Sequence, residues 1–445
     1  MSDLGESKAT ILFIPRIPNE KEREKHPFST TSKGGRQVKK RLLFLLCAAS
    51  VILTGCWDSI ELNDIAIVTG MAIDPGKEKK YRLTVGYVNP AQYSKQNPAH
   101  GAPVSIMTLE GNSLPEISAK MNVGVSRRLI FSHTRALYIN EKVAKEDGVS
   151  HFLDSLERSP QFRNDFNILI TKNNSASDFA MINDPVERVP SLKVQKSIKS
   201  LLKSWGGDPR VRLTDFIDAI IAEGRSPVAS TVVIDGDPEK GQNAESNMEV
   251  KAPARIMLDG LAVFKKDKLI GYLSLDDTRN YLWTQKLEST MISIPCEEDG
   301  DKNNPLYFDI VITNNKSEMK TYYKGNQPQL ELNIFSEASI NSMQCQKDLS
   351  SKEIYTELEK RSDKQIKNMI TETIKKVQND FGVDIFGFGE ALNRQHYKKA
   401  KKVLGHWNEE FSRADVDVNV KIALRRSGTR NKSFISELPK KDVED

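Results

Sequence analysis

Residues 416–424 have the sequence Val-Asp-Val-Asn-Val-Lys-Ile-Ala-Leu, in which every second position is apolar. Successive side chains of a β-strand point to opposite faces of its sheet, so this period of two predicts a strand with one buried face. The predicted buried face consists of Val416, Val418, Val420, Ile422 and Leu424. A strand of this kind favours a largely antiparallel sheet.

A long helix is predicted between this strand and the strand before it. Ser350 and Glu353 have the spacing of a capping box, in which two side chains bind the free backbone N–H groups of a helix start. Apolar residues then recur at helical spacing and would form one buried face. They are Ile354, Leu358, Ile366, Met369, Ile370, Ile374 and Val377.

Shorter strands are predicted before that helix, at residues 260–264, 269–273, 308–313 and 330–335. Strands with a period of two that are followed by long helices favour an α+β fold over repeated βαβ units. We therefore expect a C-terminal α+β domain at 255–430, with a largely antiparallel sheet and long packed helices.

Together with the residues before it, from residue 56 onward, this domain brings the expected total to two or three mixed α/β modules. Residues 56–205 mix predicted strands and helices and are expected to form an N-terminal α/β domain. The helical pattern there stops at residues 206–209, Gly-Gly-Asp-Pro, a sequence typical of a hinge. Residues 206–254 would then form a short middle module with an exposed linker, and residues 431–445 a disordered tail.

The segment 38–56 has the pattern of a bacterial lipoprotein signal. Three basic residues, Lys39-Lys40-Arg41, precede an apolar run at 42–53, and the small residue Gly55 precedes Cys56. We predict cleavage between Gly55 and Cys56, a diacylglyceryl group on the Cys56 thiol, and attachment to the outer face of the cytoplasmic membrane. The alternative is a short core segment that ends in Gly-Cys by chance.

Residues 1–37 are polar and irregular, and they precede the signal where an initiator is expected. Translation from a GTG codon at Val38 would remove them from the protein. The alternative is a disordered cytoplasmic extension.

The composition is that of a chain with ordinary cores. It has 445 residues, of which 38% are hydrophobic and 28% charged, and its net charge is +5. Lys and Arg are spread along the chain, so the sequence does not indicate a nucleic-acid surface. The small positive net charge predicts only a mild attraction to anionic lipid. Outside the signal, no stretch has the roughly 18 apolar residues of a membrane-spanning helix.

The four cysteines divide by position. Cys47 would leave with the signal peptide and Cys56 would carry the lipid, which leaves Cys296 and Cys345 as a pair in an exported protein. They form either a disulfide between two strand ends or two free thiols. No histidine or further cysteine lies at metal-ligand spacing from them, so no metal site is expected.

No catalytic motif is present. The sequence lacks a nucleophile elbow, a phosphate-binding loop, a dinucleotide fingerprint and a zinc-binding helix. Gly387-Phe388-Gly389 is expected only to turn the chain between helices. The scattered residues His133, His151, His396 and His406 are expected to be structural. We therefore expect no enzymatic activity and no cofactor apart from the covalent lipid.

Charged pairs and runs are expected to lie on solvated surfaces. These are Asp276-Asp277, Glu297-Glu298 and residues 398–402, Lys-Lys-Ala-Lys-Lys, for which contact with lipid head groups is the alternative. Beside the lipid site, Trp57, Asp58 and Glu61 either pack on their own domain or contact a membrane partner.

Several segments together resemble one family. These are Cys56-Trp57-Asp58 with Glu61-Leu62-Asn63, residues 127–133 (Arg-Arg-Leu-Ile-Phe-Ser-His), 158–163 (Arg-Ser-Pro-Gln-Phe-Arg), 260–264, 384–389, Trp407 and 425–428. The chain resembles the Ger(x)C family, the C-subunit lipoproteins of spore germinant receptors. Ser159 and Asp277 depart from the family pattern, in which Asp and Glu are usual.

The resemblance implies a non-enzymatic lipoprotein of the spore inner membrane. It would act with two integral-membrane receptor subunits, one A-type and one transporter-like B-type, in sensing small nutrients. The alternative is a solute-binding lipoprotein that passes a ligand to a permease. Such proteins usually contain repeated βαβ lobes, which the sequence pattern argues against.

Overall fold

The structure is a computed structural model that describes residues 61–88, 102, 104–243, 245, 249–296 and 305–426. Within these ranges the chain forms a nine-stranded sheet, a four-stranded sheet and the helices that pack on them. The described residues from 61 to 426 lie within one compact unit. The predicted α+β class, with mixed α/β content and helices beside a C-terminal sheet, is confirmed.

The first sheet contains the strands up to residue 273. They are β1 (Ile65–Pro75), β2 (Tyr81–Val88), β3 (Ser105–Gly111), β4 (Arg128–Ile130), β5 (Ala136–Asn140), β6 (Asn167–Thr171), β7 (Val228–Gly236), β8 (Ala254–Lys265) and β9 (Lys268–Leu273). The order is β3-β2-β1-β5-β6-β7-β8-β9, and β4 pairs with β1.

Within the described ranges, seven α-helices accompany this sheet. They are α1 (Leu114–Lys120), α2 (Glu141–Glu146), α3 (Ser150–Arg158), α4 (Ala176–Met181), α5 (Pro190–Ser204), α6 (Leu213–Ile221) and α7 (Pro238–Gly241). Two short 3-10 helices, Leu62–Asp64 and Met121–Val123, precede β1 and follow α1.

The centre of the first sheet corrects two predictions. Strands β1, β5, β6 and β7 are parallel, with helices in the connections from β5 to β6 and from β6 to β7, so the argument against βαβ units was wrong for this part. Strands β8 and β9 also belong to this sheet, although they were predicted with the C-terminal strands. The physical reason is that β5 and β6 are buried on both faces, so their sequences show no alternation of apolar and polar residues. Such sequences do not indicate which strands pair with them.

A buried carboxylate fixes the end of β1. Asp74 is 1% exposed. Its Oδ1 accepts hydrogen bonds from Asn140 Nδ2 at 2.8 Å and Ala176 N at 2.7 Å. Its Oδ2 accepts one from Ser177 N at 3.0 Å and lies 3.4 Å from a guanidinium nitrogen of Arg82. This carboxylate therefore binds the free N–H groups at the start of α4 to the central strand.

The second sheet contains β10 (Thr290–Pro295), β11 (Tyr307–Lys324), β12 (Gln327–Met343) and β13 (Asp415–Arg426), in that order. The first three strands are antiparallel, and β13 is parallel to β12. The predicted short strands 308–313 and 330–335 are parts of one long hairpin. On β13, Val418, Ile422 and Leu424 are buried and Val416 and Val420 are half-buried, which matches the predicted face.

The helices of this half are α8 (Leu275–Thr284), α9 (Lys352–Lys376), α10 (Phe388–Gln395), α11 (Tyr397–Val403) and α12 (Trp407–Ser412). Helix α9 packs against β13, and its side chains also cover the backbone of that edge strand. Asp363 Oδ1 accepts from Ile422 N at 2.6 Å, and Glu359 Oε1 accepts from Leu424 N at 2.9 Å. These two N–H groups are therefore not available to an added strand.

Two predictions about helix starts and charges are corrected here. The N-cap of α9 is Ser351, whose hydroxyl donates to Glu353 at 2.6 Å, so the predicted capping box at Ser350 does not form. Asp277 does not lie on a solvated surface, because its side chain is only 13% exposed and binds Lys376 Nζ at 2.7 Å. Its neighbour Asp276 is exposed, as predicted.

Candidate functional site

The predicted lipid-attachment site lies outside the described residues. Gly55, Cys56, Trp57 and Asp58 all precede residue 61. Glu61 is exposed, and its carbonyl accepts a hydrogen bond from Asp64 N at 3.0 Å. The choice between self-packing and partner contact for this segment therefore stays open.

The strand that follows shows where the N-terminal segment joins the domain. The parallel pairing of β1 with β4 places Ile65 opposite Arg128. Cys56 lies nine positions before Ile65 in the sequence, and nine residues span at most about 30 Å when fully extended. A lipid on Cys56 would therefore keep the β4 end of the domain close to the bilayer.

A pocket of about 250 Å³ lies next to β4. We call it the β4 pocket. Its floor and rim include Leu114, Leu129, Phe131, Leu156, Arg128 and Gln161. The four floor residues are buried, whereas Arg128 and Gln161 are exposed on the rim.

The β4 pocket brings together two segments that carry the family resemblance. Residues 127–133 supply β4 and Phe131, and residues 158–163 supply the turn after α3. The rings of Phe131 and Phe162 pack with centroids 5.0 Å apart. That turn is closed by the Phe162 N–H, which donates to Ser159 O at 3.2 Å. Sequence reasoning identified both segments but gave no signal that they meet.

Arg128 lines the β4 pocket, and Arg158 and Arg163 are close in sequence to lining residues after α3. Arg158 binds Asp154 at 2.9 Å and Arg163 binds Asp165 at 3.2 Å. Within the part of the chain that the structure describes, Arg128 has no carboxylate partner. Its charge is therefore the unneutralised one on the pocket rim.

A second site surrounds Asp384, which is fully buried. Its Oδ1 accepts from Phe386 N and Gly387 N, both at 2.9 Å. Its Oδ2 accepts from Gly389 N at 2.9 Å and Trp407 Nε1 at 2.8 Å. Burial raises the pKa of this carboxyl group to about 6, and the four hydrogen bonds act in the opposite direction.

Gly387-Phe388-Gly389 serves this second site. Gly387 has φ +93° and precedes the first residue of α10, so it needs a conformation that glycine adopts readily. Gly389 lies against the loop between α6 and β7, where a Cβ would be 2.5 Å from Gly224 Cα. The prediction of a simple turn missed the role of Asp384.

The loop between α6 and β7 is bound to the same region by polar contacts. Ser226 N donates to Asp384 O at 2.6 Å, and Arg225 Nε lies 3.4 Å from a Glu390 carboxylate oxygen. Asp384 therefore organises a junction between the first sheet and the C-terminal helices. We call these contacts the Asp384 junction.

Cys296 and Cys345 are joined by a disulfide in the structure, with their Cα atoms 6.2 Å apart. The bond connects the end of β10 to the segment after β12, and both residues are buried. It therefore links the end of the edge strand β10 to the end of the long hairpin, across β11.

The other candidate groups are dispersed. His133, His151, His396 and His406 are all exposed. Across the described ranges, no three or more His, Cys, Asp or Glu side chains are placed to hold a metal ion. Glu297-Glu298 lies outside the described residues. In residues 398–402 the exposed lysines are Lys398, Lys401 and Lys402, and Lys399 Nζ lies 4.0 Å from the Tyr323 ring centroid.

Two protein-family models match the chain. The model described as "Spore germination protein N-terminal domain" matches residues 58–234, and "Spore germination B3/ GerAC like, C-terminal" matches residues 259–428. The β4 pocket lies in the first match, and Asp384 in the second.

Individual proteins are similar over most of the chain. "Spore germination protein KC" of Bacillus subtilis (strain 168) is 29% identical over 402 residues, covering 88% of this chain and 97% of the relative. "Spore germination protein B3" of the same organism is 24% identical over 396 residues, covering 88% and 98%. The crystal structure of the GerBC protein has a TM-score of 0.50 at 20% identity, covering 80% of this chain and 96% of that one, and shows the shared fold.

Proposed function

Because the chain belongs to the Ger(x)C family of spore germination proteins, we propose that it is the lipid-anchored, non-enzymatic subunit of a spore germinant receptor complex, needed for nutrient-triggered germination. The observation that carries this proposal is the similarity of both halves of the chain to germination proteins, together with a lipoprotein signal that ends nine residues before β1. A role in spore germination itself follows from the family.

The lipid anchor is supported by the order of residues 39–56. A basic cluster, a short apolar run, a small residue and a cysteine are what a lipoprotein signal requires. A diacylglyceryl group supplies two acyl chains, and each buried methylene contributes about 0.8 kcal/mol to membrane binding. Among the described helices, none combines the length and apolarity needed to cross a bilayer. A lipid on Cys56 would hold the domain at the outer face of the spore inner membrane.

The proposed partners are two integral-membrane subunits of the receptor, an A-type subunit and a transporter-like B-type subunit. A tether of at most about 30 Å would keep the domain within reach of both. The β4 pocket, with exposed Arg128 and Gln161 on its rim, is the site that could contact such a partner, whereas the Asp384 junction is buried inside the domain.

The solute-binding alternative is now judged on different grounds. The parallel strands β1, β5, β6 and β7 remove the argument from missing βαβ units. What favours the receptor subunit is that the relatives matched over 88% of this chain are named spore germination proteins.

The experiment compares Cys56→Ala with Cys47→Ala in spores that carry the full-length gene. Cys56→Ala should abolish labelling by an alkyne fatty acid, leave the chain released or as unprocessed precursor, and reduce nutrient-triggered germination. Cys47→Ala changes a cysteine inside the predicted signal and should leave all three readouts unchanged. A cleaved, membrane-bound Cys56→Ala chain with normal germination would refute the anchor.

The complex is tested in the same spores. The wild-type chain, extracted with detergent and purified through a C-terminal affinity tag, should bring with it two multi-span proteins encoded beside its gene. Co-purification of an ATPase-linked permease instead would favour the solute-binding alternative.

A further inference from the structure

The β4 pocket is a small concave site beside β1, the strand through which the chain enters the domain. We infer that it docks an extracytoplasmic segment of an integral-membrane partner, and that this segment presents an apolar side chain next to a carboxylate. The apolar side chain would enter the pocket, and the carboxylate would pair with Arg128. This inference rests on the proposed lipid anchor and membrane complex.

Position is the first argument. Arg128 lies opposite Ile65 in the β1–β4 pairing, so the pocket rim adjoins the strand through which the tether enters the domain. With a lipid on Cys56, nine residues earlier, Ile65 would lie within about 30 Å of the bilayer surface. Extracytoplasmic loops of a membrane protein are within reach at that distance.

Shape is the second argument. The volume of about 250 Å³ is below the roughly 300–1,000 Å³ of typical small-molecule sites. It suits one or two inserted side chains rather than a complete ligand. The floor is apolar, with Leu114, Leu129, Phe131 and Leu156 at most 6% exposed, and the rim is polar. Protein interfaces place their energetically dominant side chains in pockets of this composition.

Charge is the third argument. Arg128 is exposed, and the described residues offer it no carboxylate, whereas Arg158 and Arg163 are each neutralised by an aspartate. A guanidinium group binds a carboxylate through two parallel hydrogen bonds, which adds directional specificity. An anionic lipid surface is the weaker candidate, because it attracts clusters of about four to eight cations and needs no concave apolar floor.

The test uses the full-length, lipidated chain in its native membrane. The photoreactive residue p-benzoylphenylalanine is placed at Gln161, on the exposed rim, and as a control at Val186, which is 92% exposed in the loop before α5. Illumination from position 161 should produce a cross-link to an integral-membrane protein, identified by mass spectrometry, and position 186 should not.

A charge-reversal pair completes the design. Arg128→Glu should reduce both this cross-link and the co-purified partner by about tenfold or more, since it replaces attraction by like-charge repulsion. Arg188→Glu makes the same change at an exposed site in the loop before α5 and should reduce neither. Melting temperatures of both variants report whether they fold. If Arg128→Glu does not fold, the cross-link from position 161 in the otherwise wild-type chain tests the inference by itself.

Each remaining outcome overturns the inference in a distinguishable way. Cross-links from position 161 to phospholipid alone would assign the surface to the bilayer. A second outcome is that wild type and Arg128→Glu co-purify the same multi-span proteins equally and position 161 gives no cross-link. The partner would then dock elsewhere on the domain, and the proposed complex would still stand. A wild-type chain that co-purifies no integral-membrane protein would refute the proposed function and this inference with it.

Discussion

Asp74→Asn should be the most informative single substitution in the first sheet. Asp74 lies at the end of β1 and accepts three hydrogen bonds, from Asn140 Nδ2 and from the N–H groups of Ala176 and Ser177. Asparagine has nearly the same shape but only one acceptor oxygen. If that oxygen stays with Asn140 and Ala176, the new NH2 group faces the N–H of Ser177 and the guanidinium of Arg82.

The magnitude follows from these two lost contacts. Leaving one buried backbone donor without an acceptor costs about 1–3 kcal/mol, and a hydrogen bond to a charged group contributes about 1.5–3 kcal/mol. Because the Arg82 side chain is 26% exposed, water recovers part of the second contribution. We expect a loss of about 3 kcal/mol. With an unfolding entropy of about 2.1 cal/mol/K per residue over the roughly 340 residues that the structure describes, this lowers Tm by about 4 °C.

The assay is differential scanning calorimetry of the chain from residue 57 onward, without the lipid. Asp154→Asn is the matched control, because Asp154 also pairs with an arginine but is 58% exposed. An exposed helical pair of this kind is worth about 0.3–0.5 kcal/mol, so the control should lose less than about 1 °C. Equal Tm values for the two variants would refute the reasoning that burial and backbone N–H groups make Asp74 important.

Three further predictions concern the second half of the chain. Gly389→Ala should destabilise by about 1–3 kcal/mol, since its Cβ would lie 2.5 Å from the backbone of the α6–β7 loop, whereas Gly405→Ala, with no atom within 4 Å, should be neutral in the same urea titration. Burial raises the pKa of Asp384 to about 6, above the roughly 3.9 of an unfolded chain. The native state therefore binds more protons between these values, and the stability of wild type relative to Asp384→Asn should fall by about 3 kcal/mol as pH rises from 4 through 6. Urea-unfolding midpoints of wild type and Asp384→Asn that differ by a constant amount from pH 4 to 7.5 would contradict this. Reduction of the Cys296–Cys345 disulfide should lower stability by about 3–4 kcal/mol, and labelling of both thiols in native, unreduced protein would disprove the bond.

Local patterns in the sequence predicted individual elements well. The alternation at 416–424 gave a strand with the correct buried face, and the spacing after Ser350 gave a helix whose buried side includes Leu358, Ile366 and Ile370. The helix start was misplaced by one residue, because the N-cap is Ser351 although Ser350 has the capping-box spacing to Glu353, and helix ends are the part of an element that local patterns place least accurately.

Pairings between distant residues could not be predicted in this way. Nothing local to β8 and β9 shows that they continue the first sheet rather than the second. Asp277 was expected in solvent because Asp276 precedes it, yet its partner Lys376 lies on another helix. The β4 pocket likewise depends on Phe131 and Phe162 meeting across 31 sequence positions. Burial and pairing of this kind are set by tertiary packing, which overrides local propensity.

The Asp384 junction bears on how a docked partner would act on the whole domain. It binds the loop before β7, within the first family match, to the helices of the second match through a backbone hydrogen bond of 2.6 Å and the Arg225–Glu390 ion pair. The close approach of Gly224 and Gly389 leaves no room for side chains or water between these backbones. Packed elements of this density transmit displacement instead of absorbing it. On the inference that a partner docks at the β4 pocket, we expect substitutions at the Asp384 junction to weaken the germination response while leaving the cross-link from position 161 unchanged.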